Sequence, residues 1–278
     1  MHHSIQALIQ SALEEDLGSG DVTSKYFIPE LTRSKAKIIA KEPGVLSGID
    51  VATAVFREVD KGLGIWSDKK DGTPFEIGDV VMEIEGKTRS ILSAERTALN
   101  FLQRLSGVAT TTRRYLAAVQ PYPVKLLDTR KTTPGWRLLE KAAVKDGGGT
   151  NHRIGLYDQV MVKDNHLMAC GKQDALQAAI ERVKTDRPGI KVQLEAASLE
   201  QVADFLALRG VDMILLDNMS LEELRQAVQI NEGRLFLEAS GGITLDTIHS
   251  VAATGVDAIS VGALTHSSKA VDLSLDVV

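Results

Sequence analysis

The most informative side chains are cationic and lie close together in the chain. Between residues 125 and 163 there are 8 Lys and Arg against 4 Asp and Glu, a local charge of +4 in a chain whose net charge is −5. The potential cations that we single out are Arg130, Lys131, His152, Arg153 and Lys163. Arginine grips a carboxylate or phosphate through two parallel hydrogen bonds. A basic island this small predicts a pocket for a small anion and argues against nucleic acid, which needs a broad basic face.

Two carboxylates and two turns could complete such a site. Glu195 and Asp217 each lie at the end of an apolar run, where a carboxylate can bind ribose hydroxyls or a hard cation such as Mg²⁺. Glycine allows the backbone N–H groups to approach phosphate oxygens closely. The turns after the last two apolar runs contain Ser240, Gly241, Gly242, Val261, Gly262 and Ala263. These turns predict a phosphate site, and the alternative is that they are simple tight turns.

Six short apolar runs, each followed by a polar turn, predict the strands that must position these residues. The runs are 124–128, 160–163, 191–195, 213–217, 235–239 and 258–261. Helical patterns follow most of the turns, and Ser198 with Gln201 and Ser220 with Glu223 match the capping box at a helix start. Alternating strands and helices predict a parallel sheet with its functional residues at the carboxyl ends of the strands. Six strands are too few for a complete barrel of eight, so we expect an open barrel.

A repeat and a proline add detail to this prediction. The pattern G-V-D-x-I-x-[LV]-x occurs at 210–217 and again 45 residues later at 255–262, which indicates two equivalent strand and helix units. Thr133 followed by Pro134 predicts a helix that begins just after Arg130 and Lys131. The N-terminus of such a helix would favour anions.

The first part of the chain predicts a separate domain. We expect a helix near 4–16, strands at 35–40, 44–47, 80–85 and 88–92, a helix at 50–59 and a long helix over 93–119. The strands at 80–85 and 88–92 would form a hairpin through Gly86 and Lys87. Pro121 and Pro123 then end the long helix. We therefore predict an N-terminal domain over residues 1–120 and an open barrel over residues 121–278.

Composition excludes several classes of protein. With 44% hydrophobic and 25% charged residues, the chain is typical of ordinary globular proteins and not of disordered or fibrous ones. It has no apolar run long enough to span a membrane and no recognisable secretion signal. The single cysteine, Cys170, forms no internal disulfide and no cysteine-based zinc site, so we expect a cytoplasmic protein. The chain also lacks a nucleophile elbow, a Walker A loop and a G-x-G-x-x-G motif.

Several longer motifs run through nearly the whole chain. They are E-E-D-L-G-x-G-D-x-T at 14–23, A-E-R-T-A-L-N at 94–100 with L-S-G at 105–107, D-T-R-K-T-x-P-G at 128–135, G-G-G-x-N-H-R at 147–153, K-D-N-H at 163–166, L-D-N at 216–218 and E-A-S-G-G-I at 238–243. In these motifs the chain closely resembles the quinolinate phosphoribosyltransferase family. The third and fourth motifs are the most specific, whereas residues 167–190 offer no family motif.

The resemblance implies a fold, an assembly and a reaction. The fold would be of the α/β class, with an N-terminal α/β sandwich domain and a C-terminal open barrel of parallel strands. The protein would be a homodimer whose active sites borrow residues from the partner. It would convert quinolinate and phosphoribosyl pyrophosphate into nicotinate mononucleotide, pyrophosphate and CO₂ for NAD biosynthesis, with Mg²⁺. Charge and hydropathy predict neither a nucleic-acid nor a membrane partner.

The resemblance also implies residue roles. The two carboxylates of quinolinate would be bound by Arg130, His152, Arg153 and Lys163, with Arg96 reaching in from the other subunit. Lys131 would bind the phosphoribosyl donor, Glu195 and Asp217 would contact ribose hydroxyls or Mg²⁺, and the turns at 240–242 and 261–263 would hold the 5′-phosphate. The residues expected to act in the reaction itself are Lys131, Lys163, Glu195 and Asp217.

Two other functions stay open at this stage. One is a related phosphoribosyltransferase-like protein with a different anionic acceptor, which would share the phosphate turns but differ in the cations. The other is a sensor that binds a pyridine dicarboxylate or a nucleotide without catalysis, which would not need both Glu195 and Asp217. Release of pyrophosphate separates catalysis from sensing.

Overall fold

The structure is a computed structural model that describes residues 2–171 and 173–278. The elements of the first part are, in chain order, α1 (His3–Leu17), α2 (Val22–Phe27), β1 (Arg33–Ala40), β2 (Gly44–Val45), α3 (Ile49–Val59), β3 (Gly64–Trp66), β4 (Pro74–Phe75), β5 (Val80–Lys87) and α4 (Thr88–Ala118). The elements that follow are β6 (Lys125–Leu127), α5 (Arg137–Asp146), β7 (Val160–Val162), α6 (Asp164–Cys170), α7 (Gln173–Asp186), β8 (Val192–Ala196), α8 (Leu199–Leu206), β9 (Met213–Asp217), α9 (Leu221–Asn231), β10 (Phe236–Ser240), α10 (Ile248–Ala252), β11 (Ala258–Ser260), α11 (Ala263–His266) and β12 (Leu273–Val277).

The chain divides into two compact units. The first contains the residues up to Arg113 together with Thr132–Gly148 and Leu264–Val278, and the second contains Arg114–Lys131 and Gly149–Ala263. The predicted domains 1–120 and 121–278 stay a prediction. Within the described ranges, no helix is both long and apolar enough to cross a membrane.

The second unit is built on a parallel sheet that is not closed. The strand order is β6-β11-β10-β9-β8-β7, and each strand runs parallel to its neighbour. Next to β6, Leu127 forms an isolated parallel bridge with Thr150. Among the described pairings, none joins β6 to β7, so the two end strands of the sheet do not meet. All six predicted strands are present, and the open barrel is confirmed.

The repeated G-V-D pattern has a structural explanation. Asp212 exchanges hydrogen bonds with the start of β8: its N–H donates to the oxygen of Val192, and its carboxylate accepts the Val192 N–H at 2.8 Å. Asp257 does the same 45 residues later, with its carboxylate 2.7 Å from the N–H of Leu237 in β10. Each repeat therefore ties the segment before one strand to the start of its neighbour, which helps to set the register of the sheet.

The first unit contains an antiparallel sheet in the order β12-β1-β5-β3. The long helix α4 buries Ile91, Ala94, Ala98, Leu102 and Leu105 on one stripe, each at most 1% exposed. This stripe begins inside the segment 88–92, which was wrongly predicted as a strand. Buried residues three or four apart satisfy the helical period, so α4 begins at Thr88 and directly follows β5.

Helix starts agree in part with the sequence predictions. Ser220 and Glu223 form the complete capping box at α9, with each side chain accepting a hydrogen bond from the other residue's N–H. Ser198 accepts from the N–H of Gln201 as predicted, but the Gln201 side chain accepts from Ala197 instead of completing the box. The helix after Thr133 was placed too early, because α5 begins at Arg137.

Candidate active site

The strands β8, β9 and β10 bring polar side chains to one edge of the parallel sheet. Ser240 at the end of β10 pairs with Asp217 at the end of β9, and Glu195 and Glu238 both pair with Leu215, two residues earlier in β9. Because side chains alternate between the faces of a sheet, these four polar residues share one face. The sequence prediction placed Glu195, Asp217 and Ser240 at the site but assigned no role to Glu238.

A short ion pair joins a predicted cation to a predicted carboxylate. Lys163, the residue after β7, places its Nζ atom 2.5 Å from Oε2 of Glu195 in β8. The Glu195 side chain is only 12% exposed, whereas that of Lys163 is 45% exposed. Lys163 therefore partly neutralises the carboxylate and keeps an open side toward solvent, from which a second anion can approach.

Two arginines of the second unit, Arg130 and Arg153, lie near enough for their positive charges to repel each other. The pKa of Arg153 is lowered below its ordinary value by burial and by repulsion from the charge of Arg130. The Arg153 guanidinium donates to the backbone oxygen of Gln159 at 3.2 Å, which holds it in place. Like charges held together oppose folding and attract anions, so this arrangement is typical of a binding site for a small anion with more than one negative charge.

His152 lies within a network of buried polar groups. Its backbone N–H donates to Oδ1 of Asp128 at 2.8 Å, and its ring Nε2 lies 3.1 Å from Oε2 of Glu238. Asp128 and Glu238 are fully buried. Burial alone would raise the pKa of Glu238, but its hydrogen bonds with His152 and Gln193 lower the pKa overall. Sequence reasoning did not assign roles to these two acids, although a charged residue inside an apolar run is a signal that could have identified Glu238.

The turn after β10 has a backbone conformation that favours glycine. Gly241 and Gly242 have φ values of +101° and +60°, and a Cβ atom on Gly241 would lie 2.2 Å from Oδ1 of Asn218. The N–H of Asn218 donates to the oxygen of Ser240 at 2.9 Å, which links this turn to the one after β9. The neighbouring Val261 donates its N–H to the oxygen of Leu127 at 3.0 Å. These turns are packed closely enough that side chains larger than hydrogen do not fit at Gly241.

The remaining predicted residues have different surroundings. Lys131 is exposed and its N–H donates to Oγ1 of Thr129 at 3.0 Å. Gly262 and Ala263 are half-buried at the end of the second unit. Arg96 is exposed on α4, in the first unit.

A buried acid in the first unit also escaped sequence reasoning. Glu140 of α5 is fully buried and accepts hydrogen bonds from the N–H and the hydroxyl of Thr133 at 3.0 and 2.8 Å. It also pairs with Arg104 of α4 at 2.9 Å. Thr133 lies two positions after Lys131, so these hydrogen bonds let Glu140 fix the chain directly after the predicted cation Lys131.

Comparison with known proteins adds independent findings. The N-terminal domain of quinolinate phosphoribosyl transferase matches residues 21–106, and the C-terminal domain of the same family matches residues 108–276. A Bacillus subtilis protein named as a probable nicotinate-nucleotide pyrophosphorylase (carboxylating) is 40% identical, over 99% of this chain and 94% of its own length. A Nicotiana glauca protein named quinolinate phosphoribosyltransferase (decarboxylating) 1 is 41% identical, over 99% of this chain and 83% of its own length. The solved structure of the nicotinate-nucleotide pyrophosphorylase from Francisella tularensis has a TM-score of 0.92 at 39% identity and covers 99% of this chain and 96% of its own.

Proposed function

Because the chain belongs to the quinolinate phosphoribosyltransferase family, we propose that its cationic side chains bind quinolinate at the carboxyl ends of the strands of the parallel sheet. The protein transfers the phosphoribosyl group of phosphoribosyl pyrophosphate to quinolinate with decarboxylation. The products are nicotinate mononucleotide, pyrophosphate and CO₂. The proposal adds which residues of this chain perform each part of that reaction.

The repulsion between the charges of Arg130 and Arg153, together with the partly buried position of Arg153, is the observation that carries the acceptor site. Quinolinate has two adjacent carboxylates, and a dianion relieves the repulsion between two guanidinium groups that a monoanion relieves only in part. Each hydrogen bond to a charged group contributes roughly 1.5–3 kcal/mol, so three or four contacts offset the cost of ordering and desolvating the ligand. Lys163 supplies a third cation from the end of β7, and His152 lies next to Arg153 in the chain.

The phosphoribosyl donor is proposed to bind at the carboxyl ends of β8, β9, β10 and β11. The 5′-phosphate would bind backbone N–H groups at Ser240–Gly242 and at Val261–Ala263, where glycine permits a close approach. Glu195 and Asp217 would accept hydrogen bonds from ribose hydroxyls, and the exposed Lys131 would bind the pyrophosphate end of the donor.

Positioning and charge are sufficient for the chemistry. The ring nitrogen of quinolinate attacks the anomeric carbon of the ribose while pyrophosphate leaves, so a bond to nitrogen forms as the bond to pyrophosphate oxygen breaks. The positive charge that develops on the sugar ring would be stabilised by Glu195 and Asp217. The positively charged ring nitrogen then stabilises the electron pair left on the neighbouring carbon when CO₂ departs, and a proton from water adds to that carbon to complete nicotinate mononucleotide. This sequence needs oriented reactants and fixed charges, and needs no nucleophilic side chain.

Mg²⁺ fits the same edge of the sheet as a proposed partner of the donor. Within the described ranges no three His, Cys, Asp or Glu side chains form a ready cage for a metal. Mg²⁺ is commonly held by one or two carboxylates together with phosphate oxygens of the substrate. Glu195 and Asp217 lie on one face of adjacent strands and fit that donor set. Bound there, the cation would neutralise charge on the leaving pyrophosphate.

We propose further that the enzyme is a homodimer in which Arg96 serves the site of the partner. The support is the family resemblance at A-E-R-T-A-L-N together with the exposure of Arg96 on α4, which leaves its guanidinium accessible to a second chain. We also keep the prediction that the protein works in the cytoplasm. Some plant relatives are named as mitochondrial or chloroplastic proteins, so location varies among the relatives.

Selectivity between two acids tests the proposed acceptor site. Nicotinate lacks the carboxylate next to the ring nitrogen, so its binding leaves cationic donors unpaired. We expect kcat/KM for quinolinate to exceed that for nicotinate by about 100-fold or more. Pyrophosphate release measured with each acid gives this ratio. Comparable values would contradict the assignment of the cationic pocket, and binding of quinolinate without pyrophosphate release would identify a sensor.

A further inference from the structure

The buried carboxylate of Glu238 is the most informative group that the proposed mechanism does not use. It lies in β10 at the same level as Glu195 in β8, because both residues pair with Leu215. The side chain is fully buried, two residues before the end of the strand at Ser240. Its exposure distinguishes it from Glu195: the Glu238 side chain is 0% exposed and that of Glu195 is 12% exposed, so Glu238 is less accessible to a ligand.

Two donors converge on one oxygen of Glu238. Oε2 lies 3.1 Å from Nε2 of His152 and accepts the side-chain N–H of Gln193 at 2.8 Å. Gln193 is fully buried and accepts in turn from Gln159 at 2.7 Å. Burying a charge is costly unless it is paired and hydrogen-bonded, so this chain of contacts gives Glu238 one favourable position.

The other ring nitrogen of His152 has its own backbone donor. The N–H of Arg153 lies 2.7 Å from Nδ1 of His152, with Nδ1 as the acceptor. The proton of a neutral ring must then be on Nε2, which donates it to Glu238. The ring of His152 is therefore held from both sides, and its orientation is coupled to the backbone of Arg153.

We propose that Glu238 is a positioning residue, which acts through His152 to fix the orientation of Arg153 for binding the acceptor dianion. Gln193 assists by holding the second lone pair of the same oxygen. The proposal deepens the proposed function, on which it rests, because it assigns a structural origin to the acceptor specificity. A carboxylate that fixes the tautomer and orientation of a histidine is a recurrent arrangement in enzymes.

The test is a set of Glu238 and His152 variants in the full-length protein. Glu238→Gln keeps the shape of the side chain but replaces the charged acceptor by an amide. We expect the KM for quinolinate to rise about tenfold or more, since hydrogen bonds to charged groups are the stronger class. The KM for phosphoribosyl pyrophosphate should stay within about twofold of wild type, because its proposed ligands do not contact Glu238.

A double-mutant cycle shows whether Glu238 acts through His152. In a His152→Gln background, Glu238→Gln should change the KM for quinolinate by less than about twofold, whereas independent roles would give the full effect again. Nitrogen-15 spectra of the His152 ring provide a second readout. They should show the proton on Nε2 in the wild type, and Glu238→Gln should shift the Nε2 resonance, because the acceptor of its N–H loses the negative charge.

Asp212→Asn is the matched control for loss of a paired carboxylate. Asp212 pairs with Lys184 and Lys191 in the same unit and is not part of the proposed site. It should lower the melting temperature without changing the KM for quinolinate. Three outcomes would each overturn the proposal. Glu238→Gln could raise the KM for quinolinate equally in both His152 backgrounds, it could raise the KM for both substrates equally, or Asp212→Asn could raise the KM for quinolinate as much as Glu238→Gln does. If the wild type releases no pyrophosphate from quinolinate, the proposed function fails, and the Nε2 resonance of His152 in Glu238→Gln still tests the positioning by Glu238.

Discussion

Arg104 forms a buried ion pair whose removal should cost a large fraction of the stability of the first unit. Its guanidinium donates to Oε1 of Glu140 at 2.9 Å and to the backbone oxygens of Thr265 and Ser268. The Glu140 side chain is fully buried, and the Arg104 side chain is 25% exposed. The perturbation is Arg104→Met, which keeps the apolar stem and removes the charge.

The size of the effect follows from what Glu140 retains. Removal of one partner from a buried ion pair costs about 3–5 kcal/mol, because the remaining charge is left uncompensated. Glu140 keeps the two donors of Thr133, and the partial exposure of Arg104 indicates that water can reach the gap. We therefore expect the low end of that range, about 3 kcal/mol. Glu140→Gln should cost less, about 1–2 kcal/mol, because the amide still accepts from Thr133 and Arg104 keeps two carbonyl partners.

Urea denaturation followed by circular dichroism measures these differences in the free energy of unfolding. The double variant should be less destabilised than the sum of the two single variants by at least about 1 kcal/mol, because both remove the same interaction. Arg113→Met is the matched control: Arg113 lies on the same helix and donates to one backbone oxygen, that of Gly147 at 3.0 Å. A loss for Arg104→Met no larger than that of the control, or strict additivity in the double variant, would refute the reasoning.

Three further predictions concern the site, the assembly and the pH dependence of stability. Arg130→Ala and Lys163→Ala should each lower kcat/KM about 100-fold, equivalent to about 2.7 kcal/mol of transition-state stabilisation, and activity within a few-fold of wild type would show that they are only surface charges. Inactive Arg96→Ala and Lys163→Ala chains, dissociated and reassociated in equal amounts, should recover roughly a quarter of wild-type activity in a two-fold dimer, whereas no recovery after demonstrated subunit exchange would exclude a role of Arg96 in the partner. Burial raises the pKa of Asp146 above its ordinary value of 3.8, and the hydrogen bond from Ser47 opposes this shift. The charged form of Asp146 is thus disfavoured in the folded protein, so Asp146→Asn should raise the melting temperature at pH 7, and the gain should shrink as the pH falls through the raised pKa toward 3.8. Thermal denaturation of both proteins across that pH range checks the sign.

Local patterns explain most of the elements that sequence reasoning predicted correctly. The six strands of the open barrel are short apolar runs bounded by polar turns, and the box at Ser220 and Glu223 depends only on residues three apart. Segment 88–92 shows the limit of such patterns. Its five residues are compatible with either period, and only the burial of Ile91 on the same stripe as Ala94 and Ala98 makes it the start of α4.

The types of group available to the site can be predicted from the order of residues along the chain. This order identified the cluster of cations, the carboxylates that end two strands, and the glycines after β10, since composition and spacing are visible without a fold. Gly241 illustrates this: a glycine at a strand end predicts a turn that other residues do not tolerate, and its φ of +101° agrees.

Which of these groups contact one another depends on the three-dimensional fold. Lys163 and Glu195 are separated by 32 residues, and His152 and Glu238 by 86, yet each pair lies within hydrogen-bond distance. Such partners depend on strand order and register, which arise from the packing of the whole sheet and leave no periodic signal in the chain. For the same reason sequence reasoning predicted His152 as a cation for the substrate, and the fold was needed to reveal the buried carboxylate that holds its ring.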